Sequence, residues 1–335
     1  MKNTVHKKVD NNRSCRTSKT LYRCFAALTA FLVCFSLCGC DRIFGNDRYD
    51  DPYYDGGYYN DGYYDDDYYY DDYQTSQRVP NLISHYIDVG QGDCEFIEFP
   101  DGETMIIDAG PSESGSNVVR YIRNLGYDRI DYVVITHPHS DHIGGMKKVI
   151  DAFDIGAVYM PKVETTTSTY ENLLKAIQSK NKKIKTLKAK TRIFDSGDSS
   201  LKVETLAPNS TSYEDLNDYS AVLKITYGKV RLLYMGDAET VSEREILKKN
   251  YDVSADIVKV GHHGSSSSSS KNFVNKVGAQ YAIVSVGADN DYNHPSSQIV
   301  SRWNKSGAQV LRTDKYGDIV VTTNGDKFDI DTEKE

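Results

Sequence analysis

The stretch that decides the fold is "IDYVVITHPHSDHIGG", residues Ile130–Gly145. Its first half is a β-branched and apolar run, which is typical of a buried strand. Three histidines and an aspartate follow at once: His137, His139, Asp141 and His142. Two glycines come next, and "MKKVIDAF" then shows helical spacing. The polar cluster is therefore predicted on a strand-to-helix loop, where an α/β sheet exposes functional groups at the carboxyl ends of its strands.

The density of histidine in this loop favours a metal site. The chain has 8 histidines in 335 residues, so a triplet that arose by chance in a polar loop is the weaker interpretation. Histidine and carboxylate are ligands that a borderline divalent cation prefers. We interpret the loop as metal-binding.

The first zone of the chain, residues 1–40, is predicted to be a signal peptide. A basic segment is followed by the apolar run "FAALTAFLVCFSL", which is too short to span a bilayer comfortably. The next residues, "LCGC", resemble the lipobox of bacterial lipoproteins, and Cys40 would then carry the lipid that holds the protein at the membrane. Cys38 replaces the small residue usual at its position, so ordinary cleavage or a retained anchor stay as alternatives. The predicted location is the extracellular face of the cell membrane, or the medium.

The second zone, residues 41–78, is rich in Asp, Tyr and Gly and has almost no aliphatic residue. Such a segment cannot build a core, so we expect a disordered tether. Weak calcium binding or adhesion to wall polymer is the alternative. Five of the six cysteines lie within residues 1–40, so Cys94 has no disulfide partner in the third zone.

The third zone, residues 79–335, alternates strand-like and helix-like stretches. Its early strands come as hairpins, and helical patterns are predicted at 116–125, 146–153, 170–180, 240–250, 270–277 and 296–306. This order predicts an α/β (α+β) domain with two packed sheets covered by helices, an αββα sandwich. One domain of roughly 250 residues is long enough to bury a full core.

Six ordered motifs carry a family resemblance. "HPHSDH" at 137–142 matches the HxHxDH signature of the metallo-β-lactamase superfamily. "YIDVGQGDCEFIEFPDGETMIIDAG", "NDYSAVLKITYG", "LLYMGDAE", "KVGHHGSSSSS" and "YNHPS" follow the pattern of the hydrolase domain of ComEC-type DNA-uptake proteins. The resemblance implies the metallo-β-lactamase fold, a site between the sheets for one or two divalent metals, and hydrolysis of phosphodiesters.

The resemblance also implies the ligands of two divalent ions, Zn or Mn. His137 and His139 would serve one metal, and Asp141 and His142 the other. Asp237 matches the bridging aspartate, although a plain turn aspartate is the alternative. His262 or His263 would complete the second metal site, and we favour His262.

One departure from the superfamily pattern concerns the first metal. Lactamases and glyoxalases carry a further histidine before the bridging aspartate, whereas no histidine lies between His142 and His262 here. Asn217, Asp218 or Ser220 are the candidates for that ligand place. An oxygen-richer set of ligands would shift the preference from zinc towards manganese.

The expected reaction is attack on phosphorus by a metal-bound hydroxide, with Asp141, His263 and His294 as the candidate catalytic residues. Asp141 would orient the water as well as bind metal. His294 would contact the substrate phosphate or protonate the leaving oxygen, unless it only caps the next helix. Asp93 and Asp108 are predicted to support the site by hydrogen bonds.

The predicted partner is a phosphodiester substrate. DNA is favoured by the resemblance, and the basic run "KNKKIKTLKAKTR" from Lys180 to Arg192 would suit a phosphate backbone. Wall teichoic acid is the alternative, with a phosphocholine esterase-like reaction. A surface binding protein without catalysis is the third hypothesis. No protein partner is predicted.

Overall fold

The computed structural model describes residues 80–194, 197 and 199–335. The predicted signal peptide at 1–40 with Cys40, and the predicted tether at 41–78, lie outside the described residues. Among the helices that are described, none has both the length and the apolar character needed to cross a bilayer.

The strands of the described residues form two sheets. The first has eight strands in the order β14-β13-β1-β2-β3-β4-β5-β6, and the second has six in the order β12-β11-β10-β9-β8-β7. The strands are β1 Leu82–Tyr86, β2 Glu95–Glu98, β3 Thr104–Ile107, β4 Arg129–Val134, β5 Asp154–Pro161, β6 Ile184–Leu187, β7 Leu201–Ala207, β8 Val222–Tyr227, β9 Val230–Tyr234, β10 Ile257–Lys259, β11 Tyr281–Val284, β12 Gln309–Arg312, β13 Ile319–Thr323 and β14 Phe328–Thr332.

Helices cover the outer face of each sheet. Apolar residues of α1, α3 and α4 pack on the first sheet, and those of α5, α6 and α7 pack on the second. The helices are α1 Gly115–Asn124, α2 Ser140–Ile143, α3 Met146–Ala152, α4 Ser168–Ser179, α5 Thr240–Lys248, α6 Lys271–Val277, α7 Ser297–Lys305 and α8 Thr313–Tyr316. The predicted αββα sandwich is confirmed.

A third apolar cluster fills the space between the sheets. It draws on the inward faces of both sheets, for example Ile107 and Leu232. Tyr86 and Tyr234 stack across this layer with ring centroids 5.9 Å apart. Ser84 Oγ lies 2.8 Å from the Tyr234 hydroxyl, which gives the buried phenol a hydrogen-bond partner. The two sheets are therefore joined along their full inner faces.

The direction of the central strands determines where the loops meet. Strands β3 to β6 are parallel to one another in the first sheet, and strands β9 to β12 are parallel in the second. The carboxyl ends of parallel strands lie at one edge of a sheet, so the loop after β4 lies at that edge of the first sheet and the loops after β9 and β10 lie at that edge of the second. These loops carry the predicted ligands.

Candidate metal centre

Four side chains from the two sheets form one compact cluster. Asp141 and His142 follow β4, Asp237 follows β9, and His263 follows β10. One nitrogen or oxygen of each lies within 4.8 Å of the others. His142 Nε2 is 3.1 Å from Asp237 Oδ2, and His263 Nε2 is 3.3 Å from Asp141 Oδ2 and 3.4 Å from Asp237 Oδ2. This arrangement has the donor set and the spacing of a divalent metal site.

The free polar atoms of this cluster test whether a metal fits. Among the described residues, His142 Nε2, His263 Nε2 and Asp237 Oδ1 are buried without a hydrogen-bond partner. Buried polar atoms of this kind are rare, because leaving them unpaired costs about 1–3 kcal/mol each. Their convergence on one point is explained by a bound cation, so the residues fit the metal that the motif implies.

A second pair of imidazoles lies beside this cluster. His137 Nε2 is 3.0 Å from His139 Nδ1 and 3.9 Å from Asp237 Oδ2. Asp237 therefore reaches both the His137 and His139 pair and the His142 and His263 pair. This is the position that a bridging carboxylate requires.

The structure distinguishes the two neighbouring histidines after β10. His263 is 1 % exposed and belongs to the four-residue cluster, whereas His262 does not, although its Nε2 lies 3.8 Å from Asp237 Oδ2. The sequence-based preference for His262 as the ligand is therefore not what the geometry favours. Both residues adopt left-handed backbone angles, with φ of 48° and 49°, and the resulting turn sends the two imidazoles in different directions.

His262 instead pairs with a carboxylate that was not predicted from the sequence. Glu239 Oε1 lies 2.9 Å from His262 Nδ1 and accepts a hydrogen bond from Ser267 Oγ at 2.7 Å. Glu239 closes the segment "YMGDAE", and only its position two residues after Asp237 pointed to it. The contact fixes the His262 ring beside the cluster.

Each buried ligand imidazole is held through its other ring nitrogen. His142 Nδ1 donates to Asp108 Oδ2 at 2.7 Å, and His263 Nδ1 donates to the Ser285 carbonyl at 2.9 Å. His137 Nδ1 lies 3.3 Å from Ser220 Oγ. Such partners fix the ring orientation and leave Nε2 directed to a metal. Asp108 thus lies at a supporting position.

A buried lysine completes the set of residues that hold the ligand histidines, and it was not predicted from the sequence. Lys259 in the apolar strand β10 is fully buried, and its Nζ lies 2.6 Å from Asp93 Oδ2. Asp93 Oδ1 in turn lies 3.2 Å from His263 Nδ1. Burial opposes ionisation of Asp93, but the charges of Lys259 and His263 lower its pKa. A lysine inside the run "DIVKV" was the signal that could have revealed this network.

The three candidates for the vacant ligand place have different surroundings. Asp218 Oδ1 accepts from the backbone N–H of Ser242 at 3.1 Å and so serves the first turn of α5. Ser220 Oγ accepts from the Asp237 N–H at 3.0 Å. Asn217 is different, because its Oδ1 is buried without a hydrogen-bond partner among the described residues and the residue lines the site cavity. Of the three, Asn217 has the free oxygen.

His294 lies at the rim of the same site. Its ring centroid is 5.4 Å from that of His262 and 6.4 Å from that of His263. Burial, together with the charges of those two imidazoles, lowers the pKa of His294 to about 4. A neutral imidazole in this position can exchange hydrogen bonds with a substrate, and the role of His294 in contacting the phosphate or protonating the leaving oxygen stays a prediction.

The ligand carboxylates are held in their ionised forms. Burial opposes the charge on Asp237, but His142 and His263 keep the pKa of this carboxyl well below its ordinary value. Burial also opposes the charge on Asp141, and His142 lowers its pKa in the same way. Burial depresses the pKa of His137 well below its usual range. Burial opposes protonation of His142 and His263, but the carboxylates around them, Asp237 first, raise the pKa of both rings well above its usual value. A cation bound at this site would therefore displace their protons.

The centre opens into a cavity of about 280 Å³. Its walls carry polar side chains from both sheets, namely Gln91, His139, Ser140, Asp141, Asn217, Asp237, His262, His263, Tyr292 and His294. Structural metal sites are usually closed, whereas catalytic sites keep an open position. This centre is accessible to a substrate.

The basic run that the sequence singled out lies to one side of this cavity. It begins directly after α4 and comprises the edge strand β6 and the residues that follow. Lys188, directly after β6, and Lys162, directly after β5, are exposed. Because β4, β5 and β6 are parallel neighbours, both lysines lie at the edge that carries the His137–His142 loop.

Comparison with known proteins agrees with this geometry. The family model described as Metallo-beta-lactamase superfamily matches residues 87–288. ComE operon protein 3 of Bacillus subtilis (strain 168) is 27 % identical over 250 residues, which are 70 % of this chain and 32 % of that protein. Competence protein ComA of Neisseria gonorrhoeae is 28 % identical over 231 residues, which are 69 % of this chain and 30 % of that protein. The chain thus spans about a third of the length of these relatives.

A solved structure shows the same fold. The CmlA beta-hydroxylase E377D mutant aligns with a TM-score of 0.50 and 15 % identity, over 71 % of this chain and 53 % of that one. At this identity the likeness concerns the fold alone. The family match, the ordered motifs and the His and Asp cluster agree with one another, and the chain belongs to the metallo-β-lactamase superfamily as a ComEC-like metallo-hydrolase.

Proposed function

We propose that the protein is a metal-dependent phosphodiesterase that cleaves nucleic acid. The observation that carries the proposal is the set of unpartnered ligand atoms of His142, His263 and Asp237 at the base of an open cavity. Asp141 and Asp237 supply all the carboxylates of the cavity lining, and both belong to the ligand set. A phosphodiester would therefore meet donors rather than free negative charge.

Two ions fit the ligand groups. His137 and His139 would hold one, Asp141, His142 and His263 the other, and Asp237 would contact both. When bound, divalent ions supply Lewis acidity and acidify a water molecule for attack on phosphorus. Asn217 Oδ1 is the free oxygen available to the His137 and His139 group. The mixed nitrogen and oxygen donor set is suited to Zn or Mn.

The chain's own side chains would position the substrate. Asn217 and the neutral ring of His294 line the cavity. Asn217 Nδ2 already donates one hydrogen bond to Glu239 Oε1 at 3.3 Å, so its second N–H and the His294 N–H would donate to the phosphoryl oxygens. Glu239 Oε1 contacts His262 Nδ1 at 2.9 Å and so orients the ring, which leaves Nε2 as the candidate proton donor to the leaving oxygen. We therefore propose His262 for the leaving-group role that the sequence suggested for His294, and His263 as a ligand in place of a catalytic residue.

The exposed lysines support a polymeric substrate. Adjacent strands lie about 4.8 Å apart, so the end of β6 is about 10 Å from the end of β4. Neither Lys162 nor Lys188 has a carboxylate within ion-pair distance among the described residues. Ammonium groups without a protein partner suit the phosphates of a bound strand.

We also propose that the protein is exported and held at the outer face of the membrane by a lipid on Cys40. The signal-like segment and "LCGC" support this. Labelling cells with a radioactive fatty acid should mark the wild type and leave Cys40→Ser unlabelled. Equal labelling of both would refute anchoring at Cys40, and an unlabelled wild type would favour plain cleavage or a retained anchor.

A panel of substrates tests the proposed activity. The purified chain, loaded with Mn²⁺ or Zn²⁺, is assayed on single-stranded DNA, bis-p-nitrophenyl phosphate and p-nitrophenyl phosphorylcholine, with Asp237→Asn as the inactive control. We expect turnover of the first two and its loss in the control. Turnover of phosphorylcholine alone would favour a wall-directed enzyme. Tight metal binding without any turnover would favour a binding protein.

A further inference from the structure

An aromatic side chain stands exposed at the mouth of the site cavity. Tyr292 is 67 % exposed, whereas the other exposed large hydrophobic residues among those described, Leu125 and Val241, reach 38 % and 37 %. Tyr292 also lines the cavity that contains the ligand atoms. The ring is therefore available to a ligand that enters the cavity.

The loop that carries Tyr292 is held by a single asparagine. Asn290 Oδ1 accepts from the backbone N–H groups of Tyr292 at 3.2 Å and His294 at 3.0 Å. Its Nδ2 donates to the carbonyls of Gly287 at 2.9 Å and His294 at 2.7 Å. These four hydrogen bonds fix the turn, so the ring is presented in a defined position before any ligand arrives.

One face of the tyrosine ring is already occupied. Tyr292 and His294 are stacked, with centroids 5.7 Å apart and planes inclined by 25°. His294 contacts His262 and His263 through its ring, so the tyrosine is connected to the centre by a short series of rings. With 67 % of the residue exposed, the face that points away from His294 is open to a planar ligand.

We propose that Tyr292 is a stacking platform for a nucleobase next to the scissile phosphate. The inference rests on the proposed phosphodiesterase function and adds the group that the enzyme recognises. Stacking on an aromatic face suits every base, so the site would bind single strands with little sequence preference. Tyr292 determines the preference for strands that carry bases, and it takes no part in bond breaking.

A quaternary ammonium group is the competing ligand, since it also binds aromatic faces. Cation recognition of that kind uses a cage of several rings around the charge. Among the residues that line this cavity, Tyr292 offers the one exposed phenol, and the rings behind it are imidazoles stacked or tilted against one another. One flat open face suits a planar base better than a spherical cation.

Matched oligonucleotides with and without bases test the proposal. The full chain is measured with single-stranded DNA and with an abasic strand of equal length, both for fluorescence anisotropy binding and for Mn²⁺-dependent cleavage. We expect tighter binding of the base-bearing strand. Tyr292→Leu should weaken binding of that strand and raise its KM by about 5- to 100-fold, with little change for the abasic strand. Tyr292→Phe should retain the wild-type preference, and Leu125→Ala is the matched surface control.

The outcomes separate this inference from the proposed function. Equal binding of both strands by the wild type, or equal losses for both strands in Tyr292→Leu, would overturn the stacking platform whether or not cleavage occurs. Binding that prefers bases, without cleavage, would support the platform and refute the nuclease. If Tyr292→Leu impairs turnover of p-nitrophenyl phosphorylcholine and leaves DNA binding unchanged, the ligand is a quaternary ammonium group.

Discussion

At the scale of residues, the adjacent histidines His262 and His263 occupy different positions in the site. Both residues have left-handed backbone angles, but His263 enters the four-residue cluster whereas His262 pairs with Glu239, and their identical chemistry does not distinguish them in the sequence. Glu239 and Lys259 escaped the motif analysis for a similar reason. Their contacts join segments that only the folded chain brings together.

The two histidines make separate predictions for metal binding. His263→Ala removes a cluster atom, so the metal affinity should fall by more than the ~10–100-fold that is typical of a lost supporting residue. His262→Ala should keep the metal content and lose mainly turnover. Equilibrium dialysis with elemental analysis measures both. Full metal content in His263→Ala together with its loss in His262→Ala would reverse the assignment.

The buried lysine predicts a large effect on stability. Lys259→Met leaves the Asp93 carboxylate buried without its nearest cation, and breaking a buried ion pair in this way costs about 3–5 kcal/mol. Urea denaturation of the metal-free chain measures the free energy of unfolding. The double variant Lys259→Met with Asp93→Asn should lose less than the sum of the two single variants. Additive losses would show that the two side chains do not interact.

At the scale of secondary structure elements, periodicity located the six longer helices and most strands. It did not reveal the edge strands β6 and β14, because most of their side chains are exposed or only partly buried and the alternation of apolar residues is weak. Strand order was likewise beyond a single sequence, since register depends on neighbours distant in the chain. Once the two sheets are known, the direction of their parallel strands determines the edge at which the ligand loops lie.

The glycine pair that ends the opening motif has a packing role. A Cβ at Gly145 would lie 2.2 Å from the Ala109 carbonyl oxygen, which is backbone and cannot move aside easily. Gly145→Ala should therefore destabilise the fold by about 1–3 kcal/mol through overpacking, and displace the start of α3. Thermal denaturation measures the loss. Gly197→Ala, where nothing lies within 4 Å, is the control, and equal stability of both variants would contradict the packing role.

The edge lysines predict a change in salt dependence. If Lys162 and Lys188 each contact one phosphate, the double Gln variant should lower the slope of log affinity against log salt by about 1.4 for single-stranded DNA. Anisotropy titrations at several salt concentrations measure the slope. Lys248→Gln with Lys249→Gln, at the end of α5 and away from the site edge, is the matched control. An unchanged slope in the first variant would exclude both contacts.

At the scale of the whole molecule, the centre joins the two sheets. His137, His139, Asp141 and His142 come from the first sheet, whereas Asp237 and His263 come from the second. A cation held by both sets of ligands would link two sheets that already pack together through the apolar cluster between them. The αββα architecture was predictable because the alternation of elements covers the whole of residues 79–335.

Metal removal should therefore lower global stability. Binding to the folded state alone adds about 2.7 kcal/mol when the free metal is 100 times its Kd. Calorimetry with and without EDTA should show a lower Tm for the chelated chain, and Asp237→Asn should respond much less. An unchanged Tm of the wild type on chelation would contradict a cation shared by both sheets.

The central claim is that Asp237 bridges two ions between the sheets, and electron paramagnetic resonance tests it most directly. The chain is loaded with two equivalents of Mn²⁺ per molecule. We predict the spectrum of a spin-coupled manganese pair in the wild type and of isolated manganese ions in Asp237→Asn. Isolated ions in the wild type, or coupling that survives in Asp237→Asn, would contradict it.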